Sequence, residues 1–157
     1  MPGEFVRELA LHFEAGYPLV FLLTLEEARA LEAVRAAADS VGRELLVPRQ
    51  PGRRVGLAEQ LAAPGAADAV VLLDDVHRRL DDADTVRALS DLAGRGWGMG
   101  RTAVALAPYA ELPPELQRGA PTAELPLPTP HQLRAVRDEL SATAGVLLTD
   151  DDAAYLV

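Results

Sequence analysis

The 157-residue chain has no cysteine and no lysine, only 4% aromatic residues, and no apolar run approaching the ~20 residues of a membrane-spanning helix. Without cysteine there is neither a disulfide nor a thiolate site, which agrees with a reducing cytoplasm, the compartment expected here. Without lysine, all 15 basic residues are arginine, a skew that codon bias in a GC-rich genome accounts for. Its mechanistic consequence is that no ammonium group can grip a phosphate. The shortage of aromatics means that a core must be built from Leu, Val and Ala. Residues 1–16 interleave Glu4, Arg7, Glu8, His12 and Glu14 with apolar positions, which is not a signal-peptide pattern. Twenty-four acidic residues give a net charge of -9, which argues against a nucleic-acid surface, because phosphate neutralisation needs a basic face.

What is present is an alternation of apolar runs and amphipathic stretches. Phe5, Leu9 and Phe13 recur at helical spacing up to Gly16. Leu19 to Leu23 is an unbroken apolar run, followed by Thr24 as an N-cap and by Glu26-Glu27 in the first turn of an Ala- and Leu-rich helix that ends near Gly42. A short strand over Glu44 to Val47, a Pro/Gly loop over Pro48 to Arg54 and a short helix over Leu57 to Ala63 come next. Ala69 to Leu73 reads as a central strand buried on both faces. A helix over Ala83 to Ala93, a glycine loop carrying Trp97 and a strand over Thr102 to Ala107 follow. After a turn-rich connection over Pro108 to Pro121 comes a short edge strand over Glu124 to Leu127, then a helix that Thr129 caps and Pro130 starts. A last helix is expected to begin at Asp150 to Asp152. This alternation predicts an α/β fold, a three-layer α/β/α sandwich on a mostly parallel five-stranded sheet. Residues 1–145 are expected to form one domain and 146–157 the start of a following helical segment, the chain being a fragment of a longer protein.

The residues that could carry chemistry cluster at strand ends. Val70 to Leu73 followed by Asp74-Asp75 has the form of a Walker B element, four apolar residues and then two acids, and acids at the C-terminal ends of parallel strands lie where such sheets bind ligands. A buried strand leaving into a polar turn gives the same pattern. His77 follows closely, so Asp74, Asp75 and His77 are weak candidates for a divalent metal. Arg49, Arg53 and Arg54 form a basic loop in an acidic protein, either simply solvated or a contact for an acidic partner segment. His12 reads as a packed or boundary residue and His131 as a surface one.

Two longer stretches carry a resemblance. Thr102 to Ala107, then Glu111-Leu-Pro-Pro-Glu-Leu-Gln-Arg118-Gly, then Ala123-Glu-Leu-Pro-Leu-Pro-Thr-Pro-His-Gln-Leu-Arg134, resembles the AAA+ ATPases in the order and spacing of sensor strand, L-x-P-A-L-x-R segment and Leu-Pro strand end. Tyr17 to Ala30, with a Tyr-Pro-Leu strand and Thr-x-Glu-Glu, is similar more narrowly to the degenerate N-terminal module of bacterial and cyanobacterial AAA proteins related to a hypothetical chloroplast reading frame. The resemblance implies a P-loop NTPase-like fold and an arginine-finger-like position at Arg118. It also implies what is missing. The Walker A loop G-x-x-x-x-G-K-S/T should follow the first strand, yet that junction is Leu23-Thr24-Leu25-Glu26-Glu27, with Thr24 at the degenerate position. The catalytic acid expected as Glu is Asp75, and the sensor position is Ala107.

The expected function is therefore a non-catalytic N-terminal ATPase-like domain of an AAA+ protein, with protein partners or self-assembly, neither nucleic acid nor membrane, no cofactor of its own, and ATP and Mg confined to a downstream module. The alternatives are a Mg-dependent enzyme acting on a phosphorylated substrate through Asp74 and Asp75, and a residual nucleotide-binding domain. A receiver-like signalling domain is disfavoured because its acidic pair would follow the first strand, where Thr24-Leu25 stands.

Overall fold

The structure, a computed structural model, describes residues 2–49, 55–94, 100–108 and 111–145. Two compact units divide the chain, one of residues 2–125 and one of residues from 126 onward. The first begins with helix α1 (Pro2–Glu14), strand β1 (Leu19–Leu23), α2 (Glu27–Ser40) and β2 (Leu45–Leu46). It continues through α3 (Leu57–Leu61), β3 (Val70–Leu73), a 3-10 turn (Val76–Arg79), α4 (Ala83–Ala93), β4 (Thr102–Ala107), α5 (Pro114–Gln117) and β5 (Thr122–Glu124).

Five strands form one sheet in the order β2-β3-β4-β1-β5, and every pairing is parallel. Burial on both faces explains the unbroken apolar runs, since neither side of such a strand meets water. Alternate side chains feed two separate cores. On one face Leu22, Val70, Leu72, Val104 and Leu106 pack under α1 and α2, with Phe5, Leu9 and Phe13 of α1 and Val34 of α2. On the other, Leu19, Phe21, Val71, Leu73, Ala103 and Ala105 pack under Leu57 of α3, Leu89 and Leu92 of α4, and Leu116 of α5. This is a three-layer sandwich. The small side chains of Ala103 and Ala105 stand in register with Leu19 and Phe21 of the neighbouring strand, so large and small residues alternate across the second face.

The helix ends follow local chemistry. Beyond Val41, Gly42 adopts φ 69°, which lets Arg43 N–H reach Ala38 O (2.9 Å) and Gly42 N–H reach Asp39 O (3.1 Å), satisfying the last carbonyls of α2. Arg43 then donates to the buried Thr102 hydroxyl at the start of β4 (3.2 Å).

Several boundaries differ from the sequence reading, α3 ending at Leu61 rather than Ala63 and β3 beginning at Val70 rather than Ala69 among them. Thr24 does not cap α2: the N-cap position is Glu26, and the Thr24 hydroxyl instead accepts from Glu26 N–H (2.9 Å) in a tight turn before the helix. The edge strand is Thr122–Glu124 rather than Glu124–Leu127; pairing to β1 begins at Pro121 O, which accepts from Phe21 N–H, and ends with Leu125 N–H on Leu23 O. Pro126 has no N–H with which to continue, and Leu127 is left 84% exposed. The β2 strand is shorter than Glu44 to Val47, and the connection over Pro108 to Pro121 contains the helix α5. Trp97, Arg53, Arg54 and the helix expected at Asp150 to Asp152 lie outside the described residues.

The second unit is represented by α6 (Pro130–Ala144). Thr129 caps it as expected, and Gln132 completes a reciprocal box: Gln132 N–H donates to the Thr129 hydroxyl (3.3 Å) and Thr129 N–H to Gln132 Oε1 (2.8 Å). Leu133, Val136 and Leu140, at i, i+3 and i+7, are exposed.

Candidate functional site at the strand ends

In an all-parallel sheet every strand leaves at the same edge, so the residues that follow β1, β2 and β3 are gathered there whatever their separation in sequence. Asp74 follows β3. Its backbone N–H donates to Gln60 Oε1 (3.0 Å), and Gln60 Nε2 donates to Val55 O (3.0 Å). Gln60 is 4% exposed, so α3 presents one buried amide that braces the strand end from behind. Asp74 also lines, with Leu57, Val76, Arg79 and Thr85, a gap too small to admit a water molecule.

From the front, Arg49 covers the same carboxylate. Its Nε donates to Asp74 Oδ2, its Nη2 to Asp74 Oδ1 (2.8 Å), and Nη2 also approaches Glu27 Oε2 (3.4 Å). This is the two-pronged guanidinium–carboxylate geometry that only Arg provides. The pairing raises the Arg49 pKa above its ordinary value: the hydrogen bond to Asp74 is the largest cause, opposed by desolvation and aided by the charges of Asp74, Glu27 and Asp75. Arg49 thus joins the exit of β2, the end of β3 and the start of α2.

The other expected residues fall around this ion pair. Asp75 adopts a left-handed backbone (φ 57°, ψ 20°), unusual outside glycine, and Arg78 Nε stands 3.3 Å from its Oδ1. His77 lies in the 3-10 turn, half-buried. Among the described residues no three of His, Asp and Glu stand close enough to hold a metal ion, so Asp74, Asp75 and His77 are not brought together as ligands. Thr24 uses its N–H on Ala107 O (2.9 Å), bridging the ends of β1 and β4. At the start of α2, where a phosphate would meet free N–H groups and a positive dipole end, Glu26 is paired with Arg29 and Glu27 approaches Arg49. Arg118 follows α5, exposed, with no side-chain hydrogen bond or ion pair among the described residues. His12 is half-buried, its Nδ1 2.9 Å from Glu8 O and its ring 5.4 Å from Tyr17, while His131 is exposed on α6.

Sequence reading missed Gln60 and Arg101. Gln60 sits three residues after Leu57 on the inward face of a short helix, a polar residue at a core position, and that spacing was the available signal. Arg101, at the opposite edge of the sheet before β4, donates to three carbonyls, Ala63 (2.7 Å), Gly65 (2.9 Å) and Ala66 (3.0 Å). Nothing local marks it, because its acceptors lie more than thirty residues away and are backbone atoms.

Residues 49–125 match the family model described as the SpoVK-like AAA ATPase, N-terminal domain. No curated protein matches the chain. The match starts at Arg49 and ends at Leu125, the last residue of the first compact unit, and it spans α3 through β5. The match supports an AAA+ family N-terminal domain over these residues, and the all-parallel α/β fold is consistent with one.

Proposed function

We propose that this AAA+ family N-terminal domain is non-catalytic and serves assembly, regulation or partner recognition for an ATPase module elsewhere in the same cytoplasmic protein. The observation that carries this reading is the state of the strand-end crevice. Where a P-loop ATPase needs a lysine and free backbone N–H groups for phosphates, this chain has Glu26 and Glu27 at the start of α2, and its Walker-B-like Asp74 is forked to Arg49. Carboxylates at a helix N-terminus already complement its dipole, and they repel a polyphosphate. Neutralising Asp74 from within removes the charge that would hold Mg²⁺.

Partner recognition is supported by the exposed apolar row Leu133, Val136 and Leu140 on α6, spaced to line one side of a helix. No helix among the described residues is long and apolar enough to cross a membrane. ATP and Mg²⁺ belong, on this reading, to the other module. Calorimetry with Mg-ATP is expected to give no saturable heat and a phosphate-release assay no turnover. Micromolar Mg-ATP binding that disappears in Asp74→Ala overturns the reading. Replacement of Leu133 and Val136 by Glu is expected to weaken association with the parent assembly without changing the fold of residues 2–125.

A further inference from the structure

We propose that Arg49 is a built-in counter-ion that keeps divalent cations off the Asp74 strand end, its guanidinium filling the place that a bound cation would take. Both oxygens of the Asp74 carboxylate are engaged, Oδ2 by Nε and Oδ1 by Nη2, and the same Nη2 lies 2.8 Å from Asp74 Oδ1 and 3.4 Å from Glu27 Oε2. A hard cation set at the Nη2 position would need Asp74 Oδ1 to move by only about 0.5 Å and Glu27 Oε2 by about 1 Å to reach the ~2.0–2.6 Å of a metal–oxygen bond. The two acids are therefore arranged around a positive centre, and that centre is a side chain of the same protein. Asp75 adds a third negative charge within electrostatic range of Arg49.

The arrangement is held from outside the ion pair. Gln60 Oε1 accepts from the Asp74 backbone N–H, and the gap that Asp74 lines with Leu57 and Val76 has no room for a water molecule. Arg49 itself is half-exposed, at 43% of its side chain, so the guanidinium is displaceable in principle and excludes cations by occupancy rather than by burial. Removing it leaves Asp74 and Glu27 without their shared counter-charge at one end of the sheet, which favours a divalent cation. The inference rests on the non-catalytic reading of this crevice and is independent of partner recognition: a domain that recruits no partner can still carry this counter-ion, and one that recruits a partner can lack it.

The test is a Mn²⁺ titration of the ¹⁵N-labelled full chain, reading paramagnetic broadening at the amides of residues 24–27 and 74–76, with those of Asp138 and Glu139 on α6 as an exposed acidic control. In the unaltered protein the strand-end amides are expected to broaden no earlier than the control. In Arg49→Gln they are expected to broaden at a Mn²⁺ concentration on the order of tenfold lower or less, given the loss of a unit charge within ~4 Å of Asp74, and Arg49→Gln/Asp74→Asn is expected to reverse the gain. Equal broadening in the unaltered protein and Arg49→Gln overturns the proposal. Should Arg49→Gln lose its dispersed spectrum, Arg49→Met, which keeps the aliphatic stem but not the charge, gives the reading instead: broadening at a lower Mn²⁺ concentration than in the unaltered protein supports the proposal and equal broadening overturns it.

Discussion

Arg49 and Asp74, 25 residues apart in sequence, meet through two parallel hydrogen bonds that tie the exit of β2 to the end of β3. The pair is partly exposed, so its contribution to stability is modest and screened by salt. Arg49→Ala is expected to destabilise the domain by about 1 kcal/mol, measured by urea unfolding. A double-mutant cycle with Asp74→Asn is expected to show a coupling that shrinks at high ionic strength; additive effects would mean that the fork contributes nothing.

Gln60 carries more. Replacing it by Leu fills the same volume but leaves the Asp74 N–H, bonded at 3.0 Å to Gln60 Oε1, without its acceptor in a buried place. The expected loss is about 2 kcal/mol or more. Gln60→Glu keeps the acceptor but loses the donor to Val55 O and buries a charge, so it should be no more stable than the Leu variant. Chemical denaturation of the three proteins orders them, and a Leu variant as stable as the parent would refute the bracing role.

Gly100 and Gly3 give a matched pair. At Gly100, with φ 50°, an added methyl would stand 2.4 Å from the Ala67 carbonyl oxygen, so Gly100→Ala must move backbone. A cost of about 2 kcal/mol is expected from strain at a positive φ together with the clash. At Gly3, in the first turn of α1, an added methyl meets nothing within 4 Å. Gly3→Ala is expected to be neutral or to stabilise by up to about 1 kcal/mol. Thermal unfolding of both variants distinguishes the positions.

Asp82 caps α4: Thr85 N–H (2.9 Å) and the Thr85 hydroxyl (2.6 Å) both donate to its Oδ2. These bonds favour the charged form, and the Thr85 side-chain bond is the largest cause of a carboxyl pKa below the ordinary value. A depressed folded-state pKa contributes stability that is complete above the unfolded carboxyl pKa and is lost as pH falls through the folded one. The melting temperature is therefore expected to drop through the acid range partly on account of Asp82. In Asp82→Asn, which can still accept at the cap but does not titrate, that part of the drop should vanish; an unchanged pH profile would exclude it.

Much of the fold was legible because the signals are local. The runs Leu19 to Leu23 and Ala69 to Leu73 declare strands buried on both faces, Phe5-Leu9-Phe13 declares a helix face, and Thr129-Pro130 declares a helix start. Each depends only on neighbours within a turn or a strand. Boundaries set by pairing were less legible: β5 begins at Thr122 because Pro121 O meets Phe21 N–H from a strand a hundred residues earlier. Asp74, Asp75, Glu26 and Glu27 could be picked out by type and position, and the absence of lysine from the phosphate end was plain from composition alone.

What the sequence determined by itself is the chemistry this chain lacks. No residue can serve as the P-loop lysine, no thiol exists, and the first strand leads into carboxylates rather than glycines. What the tertiary structure decided is which partner each remaining charge takes. A guanidinium on the loop after β2 could have remained in solvent, and from its neighbours Pro48 and Gln50 nothing says otherwise. Only the parallel register of β2 on β3, Leu45 with Val70 and Leu46 with Val71, brings the two strand ends side by side and sets Arg49 against Asp74. Ion pairing acts over a few ångströms, and that proximity is a property of the sheet.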